Sequence, residues 1–284
     1  MKIYAPNIKA DGIGGGWTFL RNFKKGMNMV HFVDKWEDCD IFFITGITIV
    51  DKNEVIEAKK AGKKIVFRVD NIPRKSRNRR NTPHERMKEI ADLSDVVIYQ
   101  SEWAKKYCYP ITGNGAVILN GVDTSIFKKT KESDSDRENN YLFVYHGKNE
   151  MKQFWLAHYY FQMIFRDNPQ AKFLFIYDFK RELPEMQEAN FDFWNGENYE
   201  YLPKIDNPED MASLMRECKY LIYPSISDAS PNTVLEARAC GMEILYPAPN
   251  NLAGTQELIE LDDITMERMC EEYYGIFKLL TSDF

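Results

Sequence analysis

Short apolar runs alternate with helix-like segments along nearly the whole chain, and this rhythm constrains the fold more than any single motif. Residues 2–5, 29–33, 40–45, 64–70, 96–100 and 116–119 read as strands. Between them, 12–16 is a glycine-rich turn and 17–25, 51–61, 82–93 and 102–107 read as helices. Asp51 is placed to cap the second of these helices, and Gly62 follows its end. Runs such as Ile65-Val66-Phe67 lack the apolar–polar alternation of a half-exposed strand. Strands of that kind belong to a parallel sheet covered on both faces.

One stretch breaks the rhythm. Residues 128–140 contain no apolar side chain and cannot contribute to a core, so the expectation is an exposed linker. The alternation then restarts, with strands at 141–145, 173–177, 199–202, 220–223 and 243–246. Helices are expected at 152–165, 208–217, 233–239 and 264–280, while 191–196 has no clear pattern. The prediction is an α/β protein of two Rossmann-like domains facing a central cleft. The first spans 1–127, on the acceptor side, and the second 141–284, with the last helix able to return to the first domain. In such sheets ligands bind outside the carboxyl ends of the strands, which points to the cleft.

Composition removes several classes. The 284 residues carry 37 basic and 43 acidic side chains, a net charge of −6, which argues against a nucleic-acid coat. No apolar run reaches the roughly 18 residues of a membrane span. Residues 1–6 lack the apolar stretch of a signal peptide, so the expected location is cytoplasmic, with peripheral contact at a membrane surface as an extension. The five cysteines are scattered without a Cys-x-x-Cys pair, which fits a reducing compartment. The four histidines have no ligand spacing, and Asp134-Ser135-Asp136 lies in the polar linker, so no metal site is expected.

Residues 225–245 carry the densest chemistry. They follow a strand and open a helix, with Ser230 as expected N-cap and Pro231 at the first helical position. Unpaired N–H groups at such a start suit a diphosphate. Asp228 precedes the turn and Glu236 follows it by eight residues. Two carboxylates flanking a phosphate turn can bind hydroxyls on either side of a diphosphate, one on a transferred sugar and one on a ribose. The plainer alternative is a helix with an acidic cap and a surface glutamate. The Ala237-Arg238-Ala239-Cys240-Gly241 run after Glu236 shifts the balance, because it gives a small helix face and a glycine stop.

This segment resembles the donor-binding signature of the retaining family 4 glycosyltransferases, which have the GT-B fold. Asp228 stands where the signature has glutamate, and Glu243 where it has proline. Four other segments resemble the family in the same order. They are Gly14-Gly15-Gly16, Gln100-Ser101-Glu102-Trp103-Ala104-Lys105, Val117-Ile118-Leu119-Asn120-Gly121-Val122-Asp123 through Phe127, and Thr255-Gln256-Glu257-Leu258-Ile259. The resemblance implies sugar transfer from a nucleotide diphosphate sugar, of UDP or GDP type, with retained anomeric configuration and no cofactor. It assigns the transferred sugar to Asp228 and the ribose to Glu236. It assigns further donor contacts to Gly15, Gly16, Ser230, Pro231, Asn232 and Thr233. Lys148 and Lys152 would neutralise the diphosphate, whose developing charge fixed cations stabilise. Asp70 closes the strand end where relatives carry a histidine, and it would orient the acceptor or support charge on the sugar, with a cap on the next turn as the plain alternative. In retaining GT-B enzymes the leaving phosphate itself is often the base, so no residue is assigned that role.

Arg74, Lys75, Arg77, Arg79, Arg80, Arg86 and Lys88 crowd into fifteen residues opposed only by Glu85. Arg74, Arg77, Arg79 and Arg80 are the candidates for binding an acceptor, and a solvated loop is the plain alternative. A surface glycan or glycolipid is the first expectation for the acceptor. Modified nucleic-acid bases are second, prompted by the basic loop. A non-catalytic nucleotide-sugar-binding protein, and a GT-B epimerase or phosphorylase, are the rivals. The aromatic run from 154 to 165 has helical spacing and is expected to pack in the core. Oligomeric state is not legible.

Overall fold

The computed structural model describes residues 1–9, 15–70, 72, 83–130, 137–145, 150–177, 197–245 and 253–282. The chain forms two compact units, Met1–Gly121 with Asp262–Phe284, and Val122–Leu261. Arg74, Arg77, Arg79, Arg80 and Lys148 lie outside the described residues.

In the first unit the strands are β1 (Lys2–Tyr4), β2 (His31–Phe32), β3 (Ile41–Ile44), β4 (Lys64–Val69), β5 (Val96–Tyr99) and β6 (Ala116–Val117). All pair in parallel, in the order β2-β1-β3-β4-β5-β6. The helices are α1 (Gly15–Gly26), α2 (Lys52–Lys60), α3 (Pro83–Leu93), α4 (Glu102–Thr112) and the last helix of the chain. Successive strand residues point to opposite faces, and both faces are apolar. Ile41, Phe43 and Val66 join α1 in one core, while Phe42, Ile44, Ile65 and Phe67 join α2 and α3 in the other.

Local chemistry sets most boundaries. Asp51 caps α2 by accepting from Asn53 N at 2.9 Å, and Gly62 follows with φ +78°. The expectation for α4 stopped at 107, but the helix runs on through Pro110 to Thr112. Thr112 bonds Cys108 O, and its hydroxyl lies 2.6 Å from Tyr99 Oη, so tertiary contacts carry the last turn past the proline. The expected strands at 29–33 and 116–119 shrink to the two-residue β2 and β6.

The second unit holds β7 (Asn140–Tyr145), α5 (Phe154–Asp167), β8 (Lys172–Tyr177), β9 (Tyr199–Leu202) and α6 (Pro208–Arg216). It continues with β10 (Tyr220–Ile222), α7 (Asn232–Ala239), β11 (Glu243–Leu245) and α8 (Thr255–Glu260). Its parallel sheet has the order β11-β10-β7-β8-β9. Two expectations fail here. Arg137, inside the stretch read as an exposed linker, is buried, and its guanidinium donates to Gly241 O at 2.8 Å. The aromatic run of α5 is only partly core. Phe154 and Phe161 are buried, but Trp155 and Tyr159 are 52% and 57% exposed because they fall on the opposite side of the helix.

The last helix, α9 (Met266–Thr281), belongs to the first unit. Thr265 caps it by accepting from Arg268 N at 3.2 Å. Met269, Tyr273 and Phe277 recur at four-residue spacing and bury against Phe19 and Phe23 of α1. Gly121 lets the two chain segments touch: a Cβ there would stand 2.3 Å from Thr265 O. Arg268 crosses the same junction, donating to Leu119 O at 3.0 Å and Asn120 O at 2.7 Å.

Candidate donor and acceptor sites

In the second unit, the loop leaving β10 runs Tyr223-Pro224-Ser225-Ile226-Ser227-Asp228-Ala229-Ser230-Pro231 into α7. Backbone bonds pin it at three points. Tyr223 N donates to Leu245 O at 2.8 Å, Ile226 N to Met151 O at 3.0 Å, and Gly254 N to Asp228 O at 2.8 Å. The Ile226–Met151 bond brings in the short 3-10 turn Glu150–Lys152. Gln153 then adopts a left-handed conformation, φ 57°, which ends that turn and starts α5 in a new direction. Such a backbone is uncommon for a residue other than glycine.

The result is a cluster of three side chains. Lys152 Nζ donates to both Asp228 Oδ2 and Tyr223 Oη, and Tyr223 Oη donates to the same Asp228 oxygen at 2.9 Å. The ammonium also lies 4.9 Å from the centre of the Tyr223 ring. Lys152 and Asp228 keep 19% and 23% of their side-chain surface exposed, so the pair is half-buried and reachable. An ammonium has three donors. Tyr223 and Asp228 take two, which leaves capacity for a phosphate oxygen.

The helix start differs by one residue from expectation. Pro231 is the N-cap of α7 and Asn232 its first residue, whereas Ser230 was expected to cap. No side chain caps the end, because proline has no side-chain acceptor. Val234 N is satisfied by Pro231 O at 3.1 Å. The amides before it lie at the positive end of the helix dipole. Ser230 and Pro231 are buried, while Asn232, Thr233 and Glu236 are half-buried. Around the loop, the hydroxyls of Ser225 and Thr255 are buried with no hydrogen-bond partner among the described residues.

In the first unit, Gly15 and Gly16 open α1 and are exposed, and a methyl group on Gly16 would meet nothing within 4 Å. Asp70 follows β4 at the carboxyl end of the sheet. Its carboxylate presses on Gly46, where an added Cβ would lie 3.2 Å from Oδ2. Two residues earlier is a group that the sequence reading passed over. The Arg68 guanidinium is fully buried and donates to Gln100 Oε1 at 2.6 Å and Asn120 Oδ1 at 3.0 Å. Burial pulls its pKa down, and Tyr273 and Asp70 oppose that shift. Burial also pushes the Tyr273 phenol up to about 12. A charged residue inside the apolar run 65–69 was the available signal for this cluster. Of the basic stretch, Arg86 donates to Val50 O at 2.7 Å and Lys88 pairs with Asp92 at 2.9 Å, so both hold local structure.

Among the described residues no group of acidic, histidine or cysteine side chains could hold a metal ion. Nor is any described helix long and apolar enough to cross a membrane.

No protein-family profile and no curated protein sequence matches the chain. Solved structures do. HepE from Anabaena, in complex with UDP and glucose, is 14% identical with a TM-score of 0.65, over 100% of this chain and 90% of that one. Sucrose-phosphate synthase from Thermosynechococcus elongatus is 13% identical with a TM-score of 0.68, over 99% of each chain. The pneumococcal O-GlcNAc transferase GtfA, in complex with UDP and GlcNAc, is 10% identical with a TM-score of 0.60, over 86% of this chain and 57% of that one. With its two parallel sheets flanked by helices, this chain has the GT-B fold.

Proposed function

We propose that the protein is a retaining glycosyltransferase of the family 4 type, moving a sugar from a nucleotide diphosphate sugar to an acceptor hydroxyl. The observation that carries the reading is the pairing of Lys152 with Asp228 beside the open start of α7, with Glu236 one turn into that helix. A cation, a row of backbone donors and two carboxylates are the groups a diphosphate sugar needs. Lys152 and the helix start stabilise charge on the leaving diphosphate. Asp228 holds the transferred sugar and Glu236 the ribose. Ser230, Pro231, Asn232 and Thr233 shape the phosphate turn, and Gly15, Gly16 and Lys148 complete the donor contacts. Asp70 faces the acceptor, together with Arg74, Arg77, Arg79 and Arg80. Such an arrangement works by positioning and fixed charge and assigns no role to a metal.

The HepE and GtfA complexes make a uridine diphosphate sugar the first donor to test. The acceptor is a surface glycan or glycolipid, reached in the cytoplasm or at a membrane face. The experiment is thermal unfolding with a panel of nucleotide diphosphates and their sugars, with and without EDTA. A ligand at 100 times its Kd adds about 2.7 kcal/mol, a shift of several degrees. A shift with one nucleotide class, insensitive to EDTA and abolished by Glu236→Ala, supports the reading. No shift with any nucleotide overturns it.

A further inference from the structure

Tyr223 is 2% exposed, and its ring sits where β10 gives way to the α7 loop. Its hydroxyl touches both charged members of the cluster, and the direction of each hydrogen bond is forced. An ammonium only donates and a carboxylate only accepts. The phenol must therefore accept from Lys152 and give its own proton to Asp228 Oδ2. A neutral group doing both jobs couples the cation to the anion without adding charge. Its backbone is held as well, by the bond from Tyr223 N to Leu245 O at the end of β11.

We propose that Tyr223 is a positioning residue of the donor site, holding Lys152 and Asp228 in register for a nucleotide diphosphate sugar. The inference rests on the donor-site reading above. Aspartate at 228 has a shorter reach than the glutamate of the family signature, so its orientation depends more on a fixed neighbour. When Lys152 turns its ammonium toward a phosphate, the Tyr223 proton keeps the Asp228 carboxylate hydrogen-bonded and aimed at the sugar.

Tyr223→Phe isolates the hydroxyl, because the ring over Lys152 and its packing remain. Thermal unfolding first verifies that the variant folds. Calorimetric titration with UDP, GDP and their hexose derivatives then compares it with the wild type. Losing a hydrogen bond to a charged group weakens binding of the sugar nucleotide about tenfold. The bare diphosphate, which does not need Asp228, loses less. Removing a donor from a carboxylate raises its pKa, so the acid limb of sugar-nucleotide binding moves to higher pH. A purely structural role would not move that limb. Equal affinity and an unchanged acid limb in Tyr223→Phe, alongside a wild type that binds, overturn this proposal alone. A wild type that binds none of the nucleotides overturns the donor-site reading and this proposal with it.

Discussion

The Arg68 guanidinium lies over the Phe19 ring, 3.6 Å from its centroid, and no carboxylate forms a salt bridge with it among the described residues. Its charge is instead spread over the aromatic face and the two amide oxygens of Gln100 and Asn120. Gln100 in turn donates to Val69 O at 2.9 Å, so the cluster ties the carboxyl ends of β4 and β5 to the segment entering the second unit.

Removing that cation should therefore cost more than a surface arginine would. Arg68→Ala opens a cavity beside Phe19 and removes the guanidinium donor from Asn120 Oδ1 and Gln100 Oε1, leaving the latter with the longer 3.3 Å bond from Asn120 Nδ2. The expected loss is about 3 kcal/mol of unfolding free energy. Urea denaturation read at the midpoint tests this, and a loss under about 0.5 kcal/mol, typical of surface sites, would refute it.

The buried thiols predict alkaline sensitivity. Burial pushes Cys108 and Cys218 up to about 12, and Cys39 and Cys240 up to about 11. In the unfolded chain a thiol ionises near roughly 8.5. A folded pKa raised above the unfolded one means that the folded state holds the proton longer. Stability is then fully present below about pH 8.5 and falls as pH rises through the folded values. The urea midpoint should drop steadily above about pH 9, and Ellman's reagent should modify these thiols only as the chain unfolds.

Two glycines make opposite predictions. Gly121→Ala places a methyl 2.3 Å from Thr265 O and 2.6 Å from Met266 Cα, both backbone, and should destabilise by about 1–3 kcal/mol. Gly16→Ala has open space and sits in the first turn of α1, so it should leave stability unchanged or slightly raised. If Gly16→Ala nevertheless weakens nucleotide-sugar binding, its backbone meets the donor. Unchanged binding would remove Gly16 from the site.

Lys152 and Asp228 should be coupled but only modestly, because both keep part of their surface in water. A double-mutant cycle of Lys152→Met and Asp228→Asn should give an interaction of about 1 kcal/mol in thermal unfolding. Donor binding should suffer far more than stability in both single variants. Equal losses in the two measurements would mean that the pair is structural.

The fold was legible because its strands are short, apolar and parallel, and residues such as Ile65, Val66 and Phe67 can serve only a sheet covered on both sides. Asp51 and Gly62 marked a helix from local chemistry alone. Boundaries failed where distant parts decide them: Tyr99 and Thr112 extend α4, and Gly241 draws Arg137 out of the polar stretch. Asp228, Lys152 and Glu236 were singled out from spacing and resemblance, and the fold brings the first two into contact. The partners of Tyr223 and Arg68 were not legible: a charge inside the run 65–69 signals that Arg68 needs partners, but neither it nor a tyrosine just past β10 says which residues they are. Tyr223 meets Lys152 from 71 residues away, and Arg68 meets Asn120 from 52.

The return of α9 to the first unit has a consequence for how the chain is made. During translation the strands and α1 of that unit leave the ribosome well before α9, so Phe19, Phe23 and Phe43 lack their Tyr273 and Phe277 partners until α9 emerges. The second unit is one uninterrupted stretch and is complete earlier. The nascent chain therefore carries an uncovered aromatic face, of the kind that recruits chaperones, until α9 has emerged.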